Sequence, residues 1–187
     1  MTTPLIMGPE PTPDAGFPGD HIWGWMSNVE CWWLHDTAAT MDSVVEIGSL
    51  HGRSSFALLT GCKGPVYCVD PWDDEGGHCY RSFMRSCGHF ENLRALQTYS
   101  LPAADTMRAL SFGYAAVDMT FIDADHAYES VKQDIAAWLP LTRRLICGHD
   151  YLPGPDAGYP GVAQAVNEVF GERVNVGEGT SIWWVEL

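Results

Sequence analysis

The sequence predicts a doubly wound α/β domain with a mostly parallel sheet and an antiparallel last strand. Short apolar runs of strand length alternate with stretches of helical periodicity, the pattern of βαβ units. Several runs are apolar almost throughout, as strands covered on both faces must be. Each of the first five runs is also followed closely by a polar residue or a glycine, so one edge of the sheet collects the reactive side chains.

Residues 1–20 hold five prolines and no Lys or Arg. They read as an irregular leader without the basic start of a signal peptide, and residues 21–187 read as one domain. Ser27 predicts the N-cap of a helix to about Thr40, with Glu30 completing a capping box. Ser43–Ile47 is the first strand, followed by a turn and a helix over about Ser54–Thr60. Pro65–Val69 is the second strand, and a less regular segment with some helix covers Tyr80–Asn92. Ala95–Tyr99 gives a third strand and Ala103–Leu110 a helix. Met119–Ile122 is the fourth strand. Over Tyr128–Leu139, Val131, Ile135, Trp138 and Leu139 share one helical face, with Asp125 expected to cap that helix. Leu145–Cys147 is the fifth strand, Val162–Phe170 a helix and Ser181–Val185 a closing strand. Only the short loop Val176–Thr180 precedes that strand, so it is expected to enter antiparallel.

The 10 Lys and Arg against 24 Asp and Glu give a net charge of −14, which argues against a nucleic-acid partner. With 46% hydrophobic and 18% charged residues the chain is not a disordered acidic tail. No apolar run approaches the roughly 20 residues of a membrane span. The six cysteines form no CxxC pair and read as reduced thiols of a cytoplasmic protein.

Two glycines four apart, Gly48 and Gly52, lie between the first strand and its helix. They allow a tight turn and close approach of a ligand to the backbone. The turn is neither GxGxxG nor a P-loop. Asp70 stands 22 positions after Gly48, at the end of the second strand, where an acid accepts hydrogen bonds from both ribose hydroxyls of a nucleoside cofactor.

Glu46-x-Gly48-x-x-x-Gly52 with Asp70 resembles the class I S-adenosylmethionine-dependent methyltransferases. Phe121-Ile122-Asp123-Ala124-Asp125-His126-Ala127-Tyr128, Asp134, Trp138, Pro140 and Gly148-His149-Asp150-Tyr151 narrow the likeness, with Pro160-Gly161-Val162 and Ser181-Ile182-Trp183. Together they resemble the small-molecule group that includes the macrolide sugar O-methyltransferases. The resemblance implies methyl transfer from S-adenosylmethionine to an oxygen of a sugar- or polyol-like small molecule. It implies that Gly48, Ser49 and Gly52 approach the methionine part of the cofactor, with Glu46 organising the turn. Asp70 would bind the ribose, Pro71 and Trp72 would lie near the adenosine and Ser100 beside the adenine. Asp123, at a cofactor-binding and catalytic position, would ligate a divalent metal with His149 and Asp150, and His126 would be the general base. His126 as a structural partner of its own helix is the other reading. Relatives that bind Mg²⁺ carry oxygen ligands where this chain has His149, so Mn²⁺, Fe²⁺, Zn²⁺ or no metal are the alternatives. Leu141-Thr142-Arg143-Arg144 also replaces the usual Gly-Gly turn before the fifth strand, at the opposite rim.

Two other functions compete. A metal-dependent hydrolase would use Asp123, Asp125, His126, His149 and Asp150 but leaves the glycine turn and Asp70 unexplained. A cofactor-binding protein without transferase activity is the second. His78, Cys79, Cys87 and His89 form a possible zinc set at no common module spacing. Trp23, Trp25, Trp32 and Trp33 read as core or interface, and an exposed subset is compatible with a homo-oligomer.

Overall fold

In the computed structural model, which describes residues 16–111, 113, 115–152 and 158–187, seven strands form one sheet. They are β1 (Val44–Ile47), β2 (Val66–Asp70), β3 (Leu93–Gln97), β4 (Val117–Ile122), β5 (Thr142–Gly148), β6 (Asn175–Val176) and β7 (Trp183–Glu186). Their order is β3-β2-β1-β4-β5-β7-β6. The first five run parallel, β7 pairs antiparallel with β5, and β6 antiparallel with β7. This is the expected doubly wound architecture. Residues 1–15 of the expected leader lie outside the described residues.

Six α-helices cover the sheet: α1 (Asn28–Ala38), α2 (Arg53–Gly61), α3 (His78–Cys87), α4 (Ser100–Leu110), α5 (Tyr128–Trp138) and α6 (Pro160–Phe170). Every residue of β1 and β4 is buried, because side chains leave a strand alternately to two covered faces. Val44, Met119, Phe121, Leu145 and Cys147 pack with Leu34 and Leu58 on one face. Val45, Ile47, Ile122 and Ile146 pack with Ile135, Trp138 and Val166 on the other. Phe17, at 2% exposure, and Met26 anchor the segment before α1 in the first of these clusters.

Local signals explain the boundaries. Ser27 caps α1 in a complete capping box, with Glu30 N–H donating to Ser27 Oγ at 3.3 Å and Ser27 N–H to Glu30 Oε2 at 2.8 Å. The N-cap of α5 is Ala127, not Asp125. Asp125 stands two residues earlier and accepts from Ala127 N–H (3.0 Å) and Ser130 Oγ–H (2.7 Å), an Asx turn feeding the helix. The third strand lies two residues earlier than its apolar residues suggest, so Ser100 begins α4 rather than ending β3. Before β5 a 3-10 turn (Leu139–Leu141) replaces the Gly-Gly turn, and Arg143 pairs with Asp118 at 2.8 Å.

None of the six cysteines is bridged. No helix among the described residues is long and apolar enough to cross a membrane. The strand order reverses at β1, whose neighbours are β2 and β4, so a crevice opens beyond the carboxyl ends of β1 and β4.

Candidate active site

The turn after β1 is built on a glycine that nothing else can replace. Gly48 has φ +90°, and a Cβ there would lie 2.1 Å from the Asp123 carbonyl oxygen. The ends of β1 and β4 therefore touch through backbone. Beneath the turn Glu46 is fully buried, accepting from Ser49 Oγ–H at 2.6 Å and from Ser55 Oγ–H. Burial raises its pKa against the hydroxyls of Ser49, Ser54 and Ser55.

Asp70, at the end of β2, closes the turn from the other side. Its Oδ2 accepts from the N–H groups of Ser49 (3.1 Å) and Leu50 (2.9 Å), and its Oδ1 from Trp72 N–H (2.7 Å). Leu50 (φ +46°) and Trp72 (φ +43°) are both left-handed non-glycine residues, a conformation costing about 1–2 kcal/mol each. One carboxylate holds both in place. A carboxylate offers about four acceptor positions, so one position on Oδ1 remains.

A cleft of about 900 Å³ lies over the carboxyl edge, of a size that takes a small ligand or cofactor. Gly48, Ser49, Asp70, Pro71 and Ser100 line it beyond β1–β3, and Asp123, His126, His149 and Asp150 beyond β4 and β5. Three residues of the expected cofactor set, Glu46, Gly52 and Trp72, do not line this cleft. Glu46 supports the turn from below. Gly52 (φ +94°) is the N-cap of α2, where a Cβ would meet Cys87 Sγ at 2.7 Å. Trp72 is 4% exposed, donates its indole N–H to the Leu50 carbonyl at 2.8 Å and packs on Phe83 and Tyr80. Its left-handed backbone turns the ring into the core instead of towards the cleft. Asp134 of α5, which the sequence reading left without a role, also lines the cleft. Burial raises its pKa, partly offset by the Ser100 hydroxyl.

The acids and histidines beyond β4 and β5 form one network. His126 Nε2 lies 2.8 Å from Asp150 Oδ2 and 3.5 Å from Asp123 Oδ1. It points off the donor direction, so it has no hydrogen-bond partner. Asp123, His126 and Asp150 each offer one ligand atom, all within 4.8 Å of one another. The two His126 spacings, 2.8 and 3.5 Å, lie near the separation of about 3 Å between neighbouring ligands of an octahedral ion with bonds of about 2.1 Å. Asp150 (φ +59°) is itself left-handed.

His149 is oriented differently from the expected ligand. Its Nε2 is 3.0 Å from Ser181 Oγ and 3.1 Å from Glu30 Oε1, while its Nδ1 is 3.3 Å from Asp150 and 4.0 Å from Asp123. Its Nδ1 still faces both carboxylates, and His126 stands with Asp123 and Asp150 as a second imidazole of ligand-capable geometry. Glu30 and Ser181 carried no signal for their contacts with His149 in the sequence beyond a capping box and the start of a strand.

Charge pairing sets the protonation of both imidazoles. Contacts with Asp123 and then Asp150 raise the His126 pKa to about 9, against partial burial. Burial lowers that of His149, but Asp150, Glu30 and Asp123 outweigh it and lift the pKa to about 10. Burial would raise Asp150, yet His126 and His149 hold it well below the usual carboxylate range.

The possible zinc set does not assemble. His78 faces Arg81 (3.1 Å), Cys79 Sγ faces His51 (3.8 Å), Cys87 donates to the Gly52 carbonyl (3.4 Å) and His89 lies on Phe90.

A family model described as "Methyltransferase domain" matches residues 45–151, or 107 of 187 residues. No curated protein matches the sequence. Among solved structures, an O-methyltransferase from Bacillus cereus in complex with SAH is 20% identical, with TM-score 0.65 over 87% of this chain and 82% of that one. The O-methyltransferase TomG from Streptomyces achromogenes, involved in tomaymycin synthesis and bound to SAM, is 21% identical, with TM-score 0.64 over 87% and 81%. The SAH-bound methyltransferase PaMTH1 from Podospora anserina is 18% identical, with TM-score 0.61 over 90% and 81%. At these identities the likeness establishes the fold.

Proposed function

The chain belongs to the methyltransferase-domain family, and from that premise we propose that it moves the methyl group of S-adenosylmethionine onto an oxygen of a small molecule. The observation that carries the reading is Asp70, a carboxylate at the end of β2 with one acceptor position left beside the Gly48 turn. Ribose is held there by one hydroxyl on Oδ1, not by both, because Ser49, Leu50 and Trp72 occupy the other positions. Ser49 and Pro71 line the path of the cofactor, and Ser100 stands at its adenine end.

The donor supplies a sulfonium-activated methyl group. The protein's part is to align the acceptor oxygen and receive its proton. Asp123 and Asp150 face the acceptor, and His126 takes the proton at Nε2, the atom without a hydrogen-bond partner. Beside bare carboxylates His126 already holds a proton below about pH 9. Its role as a base therefore requires those carboxylates to be engaged. A divalent ion on Asp123 and Asp150, with His149 as the expected third ligand, would lower the pKa of a bound hydroxyl and leave Nε2 of His126 for the proton. The net charge of −14 supports a small-molecule acceptor over a nucleic acid, and the six unbridged cysteines support a reducing compartment such as the cytoplasm.

Calorimetric titration with S-adenosylhomocysteine tests the reading. The protein is expected to bind it in a 1:1 complex, and Asp70→Ala to weaken binding by about 1.5–3 kcal/mol for one lost bond to a charged acceptor. Absence of binding, or an affinity indifferent to residue 70, removes it.

A further inference from the structure

Two tryptophans at the mouth of the cleft are not used by the cofactor or by the proton transfer. Trp23 is 58% and Trp25 78% exposed, although the same chain buries Trp72, Trp138 and Trp183. Both line the cleft that holds Asp123 and His126. Their rings meet edge to face at 4.6 Å, and Trp23 meets the His51 ring at 5.0 Å.

The backbone that presents them is fixed. Arg53, the first residue of α2, donates to the carbonyls of Met26 (2.6 Å), Asp20 (2.9 Å) and Ile22 (2.9 Å), and to Asn28 Oδ1 (2.8 Å). Ile22 and Met26 are buried beneath the strap. Gly24, between the two indoles, lets the Arg53 stem pass, since a Cβ there would lie 3.0 Å from Arg53 Cδ. Exposed indoles on a pinned strap, facing a concave site, are a contact surface rather than a loose end.

The chemistry around them selects the ligand. At this end the neighbouring side chains are Met26, Leu50, His51 and Arg53, and the guanidinium of Arg53 is spent on the strap. These four side chains offer ring and methyl surface to a flat ligand, while the polar groups of the cleft, Gln133 and the aspartates, stand among its other lining residues. Across the cleft Tyr159 stacks on His126 at 4.1 Å, a second aromatic wall. Asp123, Asp125, Asp134 and Asp150 face the same space and repel an anion.

We propose that the Trp23–Trp25 strap is the acceptor subsite and that it takes a flat, ring-bearing acceptor without negative charge, methylated on a phenolic hydroxyl. This rests on the methyl-transfer reading above and replaces the sugar or polyol with an aromatic ring. A phenol, with a pKa near 10 in tyrosine, also gives up its proton far more readily than an alcohol.

The test is titration of the S-adenosylhomocysteine-loaded protein with catechol, protocatechuate and methyl glucoside. Catechol is expected to bind at least about tenfold more tightly than the anionic or the polyol probe. Trp25→Ala should weaken catechol about tenfold, Trp25→Phe should restore most of it, and neither should change S-adenosylhomocysteine affinity. Catechol that fails to bind, binds no better than methyl glucoside, or is indifferent to Trp25→Ala overturns the proposal. So does a Trp25→Ala variant that changes only the oligomeric state, which assigns the indoles to a second copy. A wild-type protein that does not bind S-adenosylhomocysteine alone instead overturns the methyl-transfer reading.

Discussion

Replacing Glu30 by Gln removes a charge from the buried start of α1, where that helix is tied to the acid–histidine network. Glu30 Oε2 accepts from Ser27 N–H and Oγ–H at 2.8 Å each, and Oε1 from Ser181 N–H at 2.9 Å, 3.1 Å from His149 Nε2. Both side chains are below 10% exposure, at 8% for Glu30 and 9% for His149, so solvent screens the pair little. Burial alone would push the Glu30 pKa up. The hydrogen bond and charge of His149, with the N–H groups of Ser181 and Ser27, hold it instead at about 2 against an ordinary 4.5. That lowering, at about 1.36 kcal/mol per pH unit, corresponds to about 3 kcal/mol, close to the roughly 3–5 kcal/mol for breaking a buried ion pair. The raised pKa of His149 reports the same pairing and is not added. For a chain of this length the variant should melt roughly 6–12 °C lower.

The pH dependence has a definite sign. A lowered carboxyl contributes stability above pH 4.5 that is lost as pH falls through about 2. A raised imidazole contributes stability below pH 6.5 that is lost as pH rises through about 10. Asp150 and Asp123 also face His149 and sustain its charge. The gap between wild type and Glu30→Gln should therefore be widest between pH 4.5 and 6.5 and close towards pH 10. Urea unfolding followed by circular dichroism measures it. A loss under about 1 kcal/mol, or one that does not change with pH, refutes the buried pair.

Gly48→Ala should cost about 3 kcal/mol or more, because its methyl group would lie 2.1 Å from a backbone carbonyl at φ +90°; wild-type unfolding would contradict the β1–β4 contact. EDTA should lower turnover and Mn²⁺ restore it, with Asp150→Asn losing the restoration, whereas turnover indifferent to EDTA removes the ion. His126→Ala should slow turnover by about a hundred- to ten-thousandfold. Without divalent ions, wild-type turnover should climb with pH towards about 9, and a profile flat from pH 6 to 9 would return His126 to a structural role.

Much of the fold was legible because its strands are covered on both faces. Val44–Ile47 and Val117–Ile122 are fully buried, so they stand out as apolar runs. The capping box of α1 was readable because its partners are three residues apart. The third strand was displaced because Leu93–Gln97 is only partly buried and its pattern is weak. The two-residue strand β6 is exposed along its length and leaves no apolar trace. At the site, the positions of Asp70, Asp123, His126 and Asp150 followed from strand ends. The turning of Trp72 into the core did not, since a left-handed tryptophan contradicts local preference. The partners of His149 were hidden as well: Glu30 and Ser181 lie 119 and 32 positions away in sequence and meet it only through packing.

A crystal structure with S-adenosylhomocysteine bound is the most direct test of the cofactor site. It should place one ribose hydroxyl about 2.7 Å from Asp70 Oδ1, with the bonds from Ser49, Leu50 and Trp72 retained and the sulfur directed towards Asp123 and His126. A nucleoside lying elsewhere, or Asp70 making no contact with the ribose, would contradict it.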